Sequence, residues 1–586
     1  MQSAQIHADS RESHLKRARP AAVSLIGLLI LVAALSLISY LTVQLWQTRK
    51  VRLVIQQAVT LLNQNPTPDV VERRLAAWER QTKRHWYGGQ DALVDRLLDP
   101  VLLADRRVRT LLTYLTGCDY GEQIEEWELW RSTRARLRDG LQPDLPRRRA
   151  VKLEKMWQAP IGLTAWFSNI VPIDGQIYVA SLGLGVNKRD DRADGVVRVD
   201  GRTGRATLIF RPTEGSNRDV MGICAGTNGM FVASRNGRVY FIDPDGGLKW
   251  SSSAGSAICA PPMSLDFNRD GILDVIVVTQ RDKVVAFNGR QGKTVWVSRL
   301  PTSGRGRGSE GYSRPGLAAW RSPNSDRTEV VATTSGGRVV RLDARHGKTI
   351  ATQEFSHGFG SGAVLCDPQR YERFECLTIG RSGQIASTHD KRSREASWAL
   401  NAAGAANVVT LLRTISAAPP NRPLPLTIAT IGGAARAAGN MVCGIDADGI
   451  RWRFAPGGHL WATPAIADMN GDRRSDIVIA STVRGSDGEA MSIISILSAE
   501  GQCIYRLPIG APVGCSPVVA DVDGDDKLEL LIADQSGLLH CFKTNSSGPV
   551  EWGVYGGDAQ NTQNAENAYS WGQVPYGFQK RWRSGF

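Results

Sequence analysis

The sequence of 586 residues is short of several things that usually announce a function. None of its nine cysteines is adjacent to another and none forms a C-x-x-C pair, so a paired-cysteine zinc site is not written into it. The eight histidines are isolated, and neither H-E-x-x-H nor G-x-S-x-G occurs, which removes the commonest hydrolase signatures. The Lys and Arg behind a formal charge of +14 are spread along the chain rather than blocked together with aromatics. A nucleic-acid groove is therefore not expected, and the charge reads as a solvated basic surface that anionic lipid or polysaccharide can attract.

Long apolar runs are also scarce, with one exception. From Pro20 to Thr48 no residue is charged. A helix needs about 20 apolar residues to cross a bilayer, whereas the apolar part of a signal peptide has about 7–15. Residues 20–48 are accordingly expected to be a retained transmembrane helix. Arg11, Lys16, Arg17 and Arg19 precede it and Arg49, Lys50 and Arg52 follow, so the flanking charges nearly balance. We place residues 1–19 in the cytoplasm and everything from residue 49 onward in the periplasm or outside the cell. In an oxidising compartment Cys366 and Cys376 can be bridged. The alternative is that most cysteines are small buried hydrophobes.

Residues 49–150 carry helical spacing in "VRLVIQQAVTLLNQ" and "VVERRLAAWERQTKRHW", broken by "NPTPD", "YGGQ" and "TGCDYG". They predict a small α-helical stalk or domain, with Trp127 and Trp130 in its core. From residue 151 to 565 the period changes to two and a unit recurs: Gly, alternating apolar residues, an Asp or Asn turn, Gly, and often Trp. Clear copies are "DGVVRVDGRTGRATLIF" (194–210), "NGRVYFIDPDGGLKW" (236–250), "DKVVAFNGRQGKTVW" (282–296) and "GGRVVRLDARHGKTI" (336–350), and weaker ones follow. Alternation predicts strands buried on one face. Units of this size cannot bury their own faces, and radial stacking solves that. The expected fold is all-β: a β-propeller of eight, alternatively seven, four-stranded blades, which the segment 551–564 helps to close against the first blade. Residues 566–586 form an aromatic, basic tail expected to pack on the ring.

Three acidic loops interrupt the repeats. They carry Asp266, Asn268, Asp270 and Asp274; Asp468, Asn470, Asp472 and Asp476; and Asp521, Asp523, Asp525 and Glu529. In each, side-chain oxygens fall at positions one, three, five and nine. A proline stands four residues ahead (Pro262, Pro464, Pro517) and a β-branched run follows. Ca²⁺ takes 6–8 oxygen ligands, whereas Mg²⁺ keeps its waters. Structural Ca²⁺ is therefore expected here, with a carbonyl at position seven (Ile272, Arg474, Lys527) as a further ligand. An EF-hand is excluded, because the last acid stands at position nine and a strand follows. The corresponding segments 314–334 and 361–380 read as having kept the flanks and lost the ligands.

The D-x-[ND]-x-D-x-x-x-[DE] loops resemble FG-GAP (VCBS-like) repeats, and "VVAFNGRQGKTVW" and "VVRLDARHGKTI" resemble the PQQ-like repeats of quinoprotein dehydrogenases and outer-membrane assembly lipoproteins. The resemblance spans residues 155–565 and implies a propeller with calcium loops. It does not fix an activity, because such folds host many. Quinoprotein alcohol dehydrogenases carry a vicinal disulfide over the cofactor, and this chain has none. The expectation is a non-enzymatic, membrane-anchored scaffold that binds protein or cell-surface polysaccharide. The rival is a PQQ-dependent oxidoreductase with its quinone at the centre of the ring.

Overall fold

In the computed structural model the chain divides into two compact units, Met1–His85 and Trp86–Phe586. The structure describes residues 151–165, 169–183, 194–258, 260–301, 462–484 and 490–561, the strands between 316 and 460, and a few positions between 98 and 128. The N-terminal tail, the apolar span 20–48, most of the helical region and the tail 566–586 lie outside the described residues. Among the described residues no helix is long and apolar enough to cross a membrane. Trp127 is wholly buried, edge-on to Tyr120 at 4.9 Å, as a core residue should be. The Tyr120 hydroxyl donates to the carbonyl of Arg453, 2.7 Å away.

From residue 151 the described chain is all-β, built of eight antiparallel sheets in an arrangement consistent with a β-propeller. The first sheet comprises Ile170–Ile173, Gln176–Leu182, Asp194–Asp200 and Ala206–Phe210, paired in that order. The second to seventh occupy residues 220–253, 263–299, 317–354, 364–399, 406–454 and 459–509. The eighth takes three strands from residues 518–543 and its fourth, Glu154–Pro160, from the opposite end of the repeat region.

Burial corrects one expectation. Alternation predicted one buried face per strand, yet Asp274–Val278, Gly229–Ser234 and Glu529–Ala533 are buried throughout. The outer strand Thr294–Arg299 does alternate in part. The reason is that each sheet is sandwiched between two others. One apolar cluster joins first to second sheet through Tyr178, Val196, Ile223 and Val232, and another joins second to third through Phe231, Val239, Val275 and Phe287. A further cluster joins eighth to first through Val518, Leu531, Cys541, Ile177 and Val199, so the series closes on itself.

A polar clamp repeats at these seams. The indole N–H of Trp250 donates to Gly289 O, that of Trp296 to Ala344 O and that of Trp452 to Ala499 O, each 2.9 Å away in the following sheet. Trp157, upstream of the recognised repeats, does the same across the closing seam, donating to Gly201 O at 2.8 Å. Closure therefore uses Glu154–Pro160 as well as the segment 551–564 expected from the sequence, whose Val554 lies in the cluster that joins eighth to first sheet. That segment also runs along strands of several other sheets. Val550–Trp552 pairs with Ala465–Ala467 of the seventh sheet. Gly553 O then accepts from Val519 N at 2.9 Å, Ala559 O from Ala225 N at 2.8 Å and Gln560 O from Ser264 N at 3.0 Å. Asn561, the last described residue of the segment, donates through its amide to Ile223 O (2.9 Å) and Pro262 O (2.8 Å), and its carbonyl oxygen accepts from Asn169 (3.1 Å).

The cysteines follow the apolar reading where they are described. Cys224, Cys503, Cys515 and Cys541 are buried. The register pairs Cys366 with Glu375 and Leu365 with Cys376, so the two cysteines considered for a bridge are not cross-strand partners.

Beneath each clamping indole lies a glycine with left-handed backbone. At Gly204 (φ 72°) an added Cβ would stand 2.7 Å from the Trp157 ring. A left-handed non-glycine residue costs roughly 1–2 kcal/mol before any clash. We expect Gly204→Ala to destabilise the chain by at least about 1 kcal/mol, read as a lower denaturation midpoint, with no change in secondary-structure content.

Candidate metal loops at the sheet mouths

The three acidic loops lead into Asp274–Val278 of the third sheet, Asp476–Arg484 of the seventh and Glu529–Ala533 of the eighth, and they share one backbone. Positions four and six are left-handed in all three: Arg269 and Gly271, Gly471 and Arg473, Gly524 and Asp526, with φ between 64° and 78°. This curls the chain so that its own amides point at the acids. The first aspartate takes at least two of them. Asp521 accepts from Gly524 N (2.7 Å) and Asp526 N (3.0 Å), Asp468 from Gly471 N (2.6 Å) and Arg473 N (2.7 Å), and Asp266 from Asp270 N (3.1 Å) and Gly271 N (3.0 Å). One oxygen of each third and fifth residue is held in the same way. Asp523 Oδ1 accepts from Asp525 N at 3.1 Å and Asp525 Oδ1 from Lys527 N at 3.0 Å.

The ninth residue is different in kind, because it begins a buried strand. Asp274, Asp476 and Glu529 are buried. Glu529 Oε2 accepts from Val522 N at 2.9 Å and Asp476 Oδ2 from Met469 N at 3.0 Å, pinning the start of the loop to its end. Asp274 Oδ1 accepts from Gly289 N at 2.8 Å. The other oxygens, Asp274 Oδ2 and Glu529 Oε1, are buried with no hydrogen-bond partner. Burial first, then the neighbouring Asp270 and Asp266, raise Asp274 to about 7. Burial, then Asp523, Asp521 and Asp525, raise Glu529 to about 7. Burial likewise raises Asp468.

A buried carboxylate with an unused oxygen, beside further carboxylates, is the donor set a hard cation takes. In the eighth sheet one oxygen each of Asp521, Asp523 and Asp525 lies within 4.8 Å of the others. In the other two loops Asn268 and Asn470 hold the third position, and among the described residues no such triple of acids forms there. The residues present fit Ca²⁺ in all three loops, best at 521–529.

Sequence reasoning missed three features. The first is Lys543, cross-strand partner of Glu529, whose ammonium contacts Asp523 Oδ2 at 3.2 Å and also Asp525 Oδ2. Its hydrogen bond to Asp525 lowers that carboxyl and keeps Lys543 charged. The other two are acids. The first residue of the loop's flank pairs with the ninth residue as Leu265–Asp274, Ala467–Asp476 and Ala520–Glu529. The same register recurs in the fourth sheet as Trp320–Glu329 and in the fifth as Cys366–Glu375. Segments 314–334 and 361–380 have therefore kept the ninth-position acid, contrary to expectation. In the fourth sheet Glu329 is buried against Arg341, Oε2 to Nε 2.7 Å, so a guanidinium supplies the positive charge. Counting back from the start of the buried strand, rather than along the loop's acids, would have found both glutamates.

Two outcomes follow from these geometries. Removing one partner of a buried ion pair costs about 3–5 kcal/mol, whereas replacing both is near neutral. Arg341→Met should destabilise on that scale and Arg341→Met with Glu329→Gln much less, by chemical denaturation. The second outcome concerns pH without calcium. Asp274 and Glu529 have folded-state values above their ordinary ones, so the stability they confer is complete at acid pH and is lost as pH rises toward about 7. Melting in chelator should occur at lower temperature at about pH 8 than at about pH 5.5, and millimolar calcium should abolish that difference.

Comparison with known proteins adds the following. Residues 192–412 match the family model described as outer membrane protein assembly factor BamB, which supports PQQ-like β-propeller repeats in that stretch. No curated protein sequence matches the chain. Among solved structures, BamB from Moraxella catarrhalis is 15% identical, with a TM-score of 0.40 over 67% of this chain and 97% of that one. Quinohemoprotein alcohol dehydrogenase from Comamonas testosteroni is 12% identical, with a TM-score of 0.44 over 67% and 76%. Sqt1 from Saccharomyces cerevisiae is 9% identical, with a TM-score of 0.46 over 68% and 99%.

Proposed function

We propose that the chain is a non-enzymatic scaffold: an eight-bladed, calcium-stapled β-propeller held outside the cytoplasm by the apolar span 20–48, binding protein or cell-surface polysaccharide through its loops. The observation that carries this reading is the crossing of the inner sheet ends by residues 549–561. The middle of the ring is where a quinone would need to lie, and the chain's own backbone is hydrogen-bonded there to the seventh, eighth, second and third sheets. Recognition is left to the loops at the rims. The match of residues 192–412 to an assembly-factor family supports a role in holding other proteins, and the missing vicinal cysteines weigh against the quinoprotein rival.

In this reading calcium is structural. It binds Asp266, Asn268, Asp270 and Asp274; Asp468, Asn470, Asp472 and Asp476; and Asp521, Asp523, Asp525 and Glu529, and it stabilises by binding only the folded loops. Extracellular modules hold calcium at about 10⁻⁴–10⁻³ M, which suits an outside compartment.

Asp521→Ala with Asp525→Ala should lower the melting temperature in millimolar calcium and change it little in chelator. Equal losses in both conditions would show that these acids serve the fold without metal. Pyrroloquinoline quinone added with calcium should leave the repurified chain without a bound chromophore and without dye reduction; a stoichiometric chromophore that reduces dye would replace the scaffold reading with the rival.

A further inference from the structure

We infer that Lys543 is a tethered competitor of calcium, making the 521–529 loop an exchange site in which the metal displaces a side chain of the protein itself. The inference rests on the calcium reading above and adds to it. The backbone amides hold Asp523 and Asp525 by Oδ1. Their Oδ2 atoms are the ones left for a cation, and both are taken by the Lys543 ammonium. The remaining demand for positive charge comes from Glu529, buried directly across the strand pair with Oε1 unpartnered.

At the corresponding cross-strand position the other two loops present neutral residues. Asp476 faces Ser498 across its strand pair, and Asp274 lies against the neutral amide of Asn288, 3.4 Å away. The most acidic of the three loops alone carries a lysine at that place.

The loop's position holds whichever cation is present. Arg202 of the first sheet donates to the backbone carbonyl of Asp523 at 2.9 Å, and Gly201 packs so closely on Val522 O that an added Cβ would lie 1.9 Å from it. These contacts use backbone atoms, so exchanging ammonium for metal leaves the closing seam intact. What changes is the surface: a bound calcium releases the Lys543 ammonium into solvent beside the eighth sheet.

The test uses the full-length chain, calcium alone as ligand, and amine acylation read by mass spectrometry. Lys543 should be protected in chelator and become labelled with calcium, saturating with occupancy. In Asp521→Asn with Asp525→Asn the labelling should lose its calcium dependence. In calorimetry Lys543→Gln should tighten the 521–529 site by about tenfold, since a unit positive charge beside the ligands is gone. The affinities of the other two loops should stay as they are. Calcium binding that Asp525→Asn weakens, with Lys543 labelling flat and Lys543→Gln without effect, would overturn the exchange and leave the calcium reading standing. Absence of calcium binding in both the native chain and Lys543→Gln would overturn both.

Discussion

A sheet that is apolar on both faces cannot end a stack. That constraint shapes this molecule from residue 151 onward. Strands such as Asp274–Val278 and Gly229–Ser234 bury every residue, so each sheet needs a neighbour on either side. In a linear array two sheets would be left with an open face. The chain closes the series instead, and the cluster of Ile177, Val199, Val518 and Leu531 is the same kind of seam as those between sheets consecutive in sequence. Burial is non-directional, so it does not choose the register of one sheet against the next. The indole clamps add that direction: one N–H, one carbonyl and one left-handed glycine fix how far each outer strand advances over the following turn.

Closing the ring brings a cost at its mouth. Five sheets carry an acid in the same cross-strand register near the start of a strand, Asp274, Glu329, Glu375, Asp476 and Glu529, and the four whose burial is described, Asp274, Glu329, Asp476 and Glu529, are buried. Glu529 accepts an amide from the loop's second residue, Val522, and Asp476 from Met469, whereas Asp274 accepts from Gly289 N and Glu329 from the Arg341 guanidinium. A carboxylate so placed keeps oxygens that water does not reach. Its charge must be matched by a cation or removed by a proton. Arg341 is the match in the fourth sheet, and the geometry of the remaining loops is open to a metal.

Much of this was legible before any coordinates. The change of period near residue 151, the Asp/Asn–Gly turns and the recurring Trp are local chemistry, and local chemistry is what sequence displays. So is the spacing of Asp521, Asp523 and Asp525, which the structure gathers into one cluster. What stayed hidden depends on partners distant in sequence. Trp157 is an ordinary residue until Glu154–Pro160 pairs with Leu538–Lys543, across most of the chain. Lys543 reads as a surface lysine until the register sets it opposite Glu529. The same limit hid how far the segment 551–564 reaches beyond the closing seam. Its Gly and Asn content marks turns, and nothing in a turn tells whether it lies outside a ring or across its middle.

The crossing by residues 549–561 has a consequence for how the acidic loops work. Asp468 N donates to Pro549 O at 2.8 Å, and the Ser475 hydroxyl donates to Glu551, so the seventh-sheet loop is fastened to the start of the crossing segment. The eighth-sheet loop is fastened to the first sheet through Arg202, and the third-sheet loop to the second sheet by Leu273 N and the Thr227 hydroxyl, 2.8 Å apart. Each loop thus grips something beyond its own sheet. A cation that stiffens such a loop stiffens a junction, and the stabilisation reaches two elements at once. An ion-free loop loses that reach unless the chain supplies its own charge, as the fourth sheet does with Arg341. Arg341 beside Glu329 shows, at one junction, the chain itself matching a buried acid with a cation.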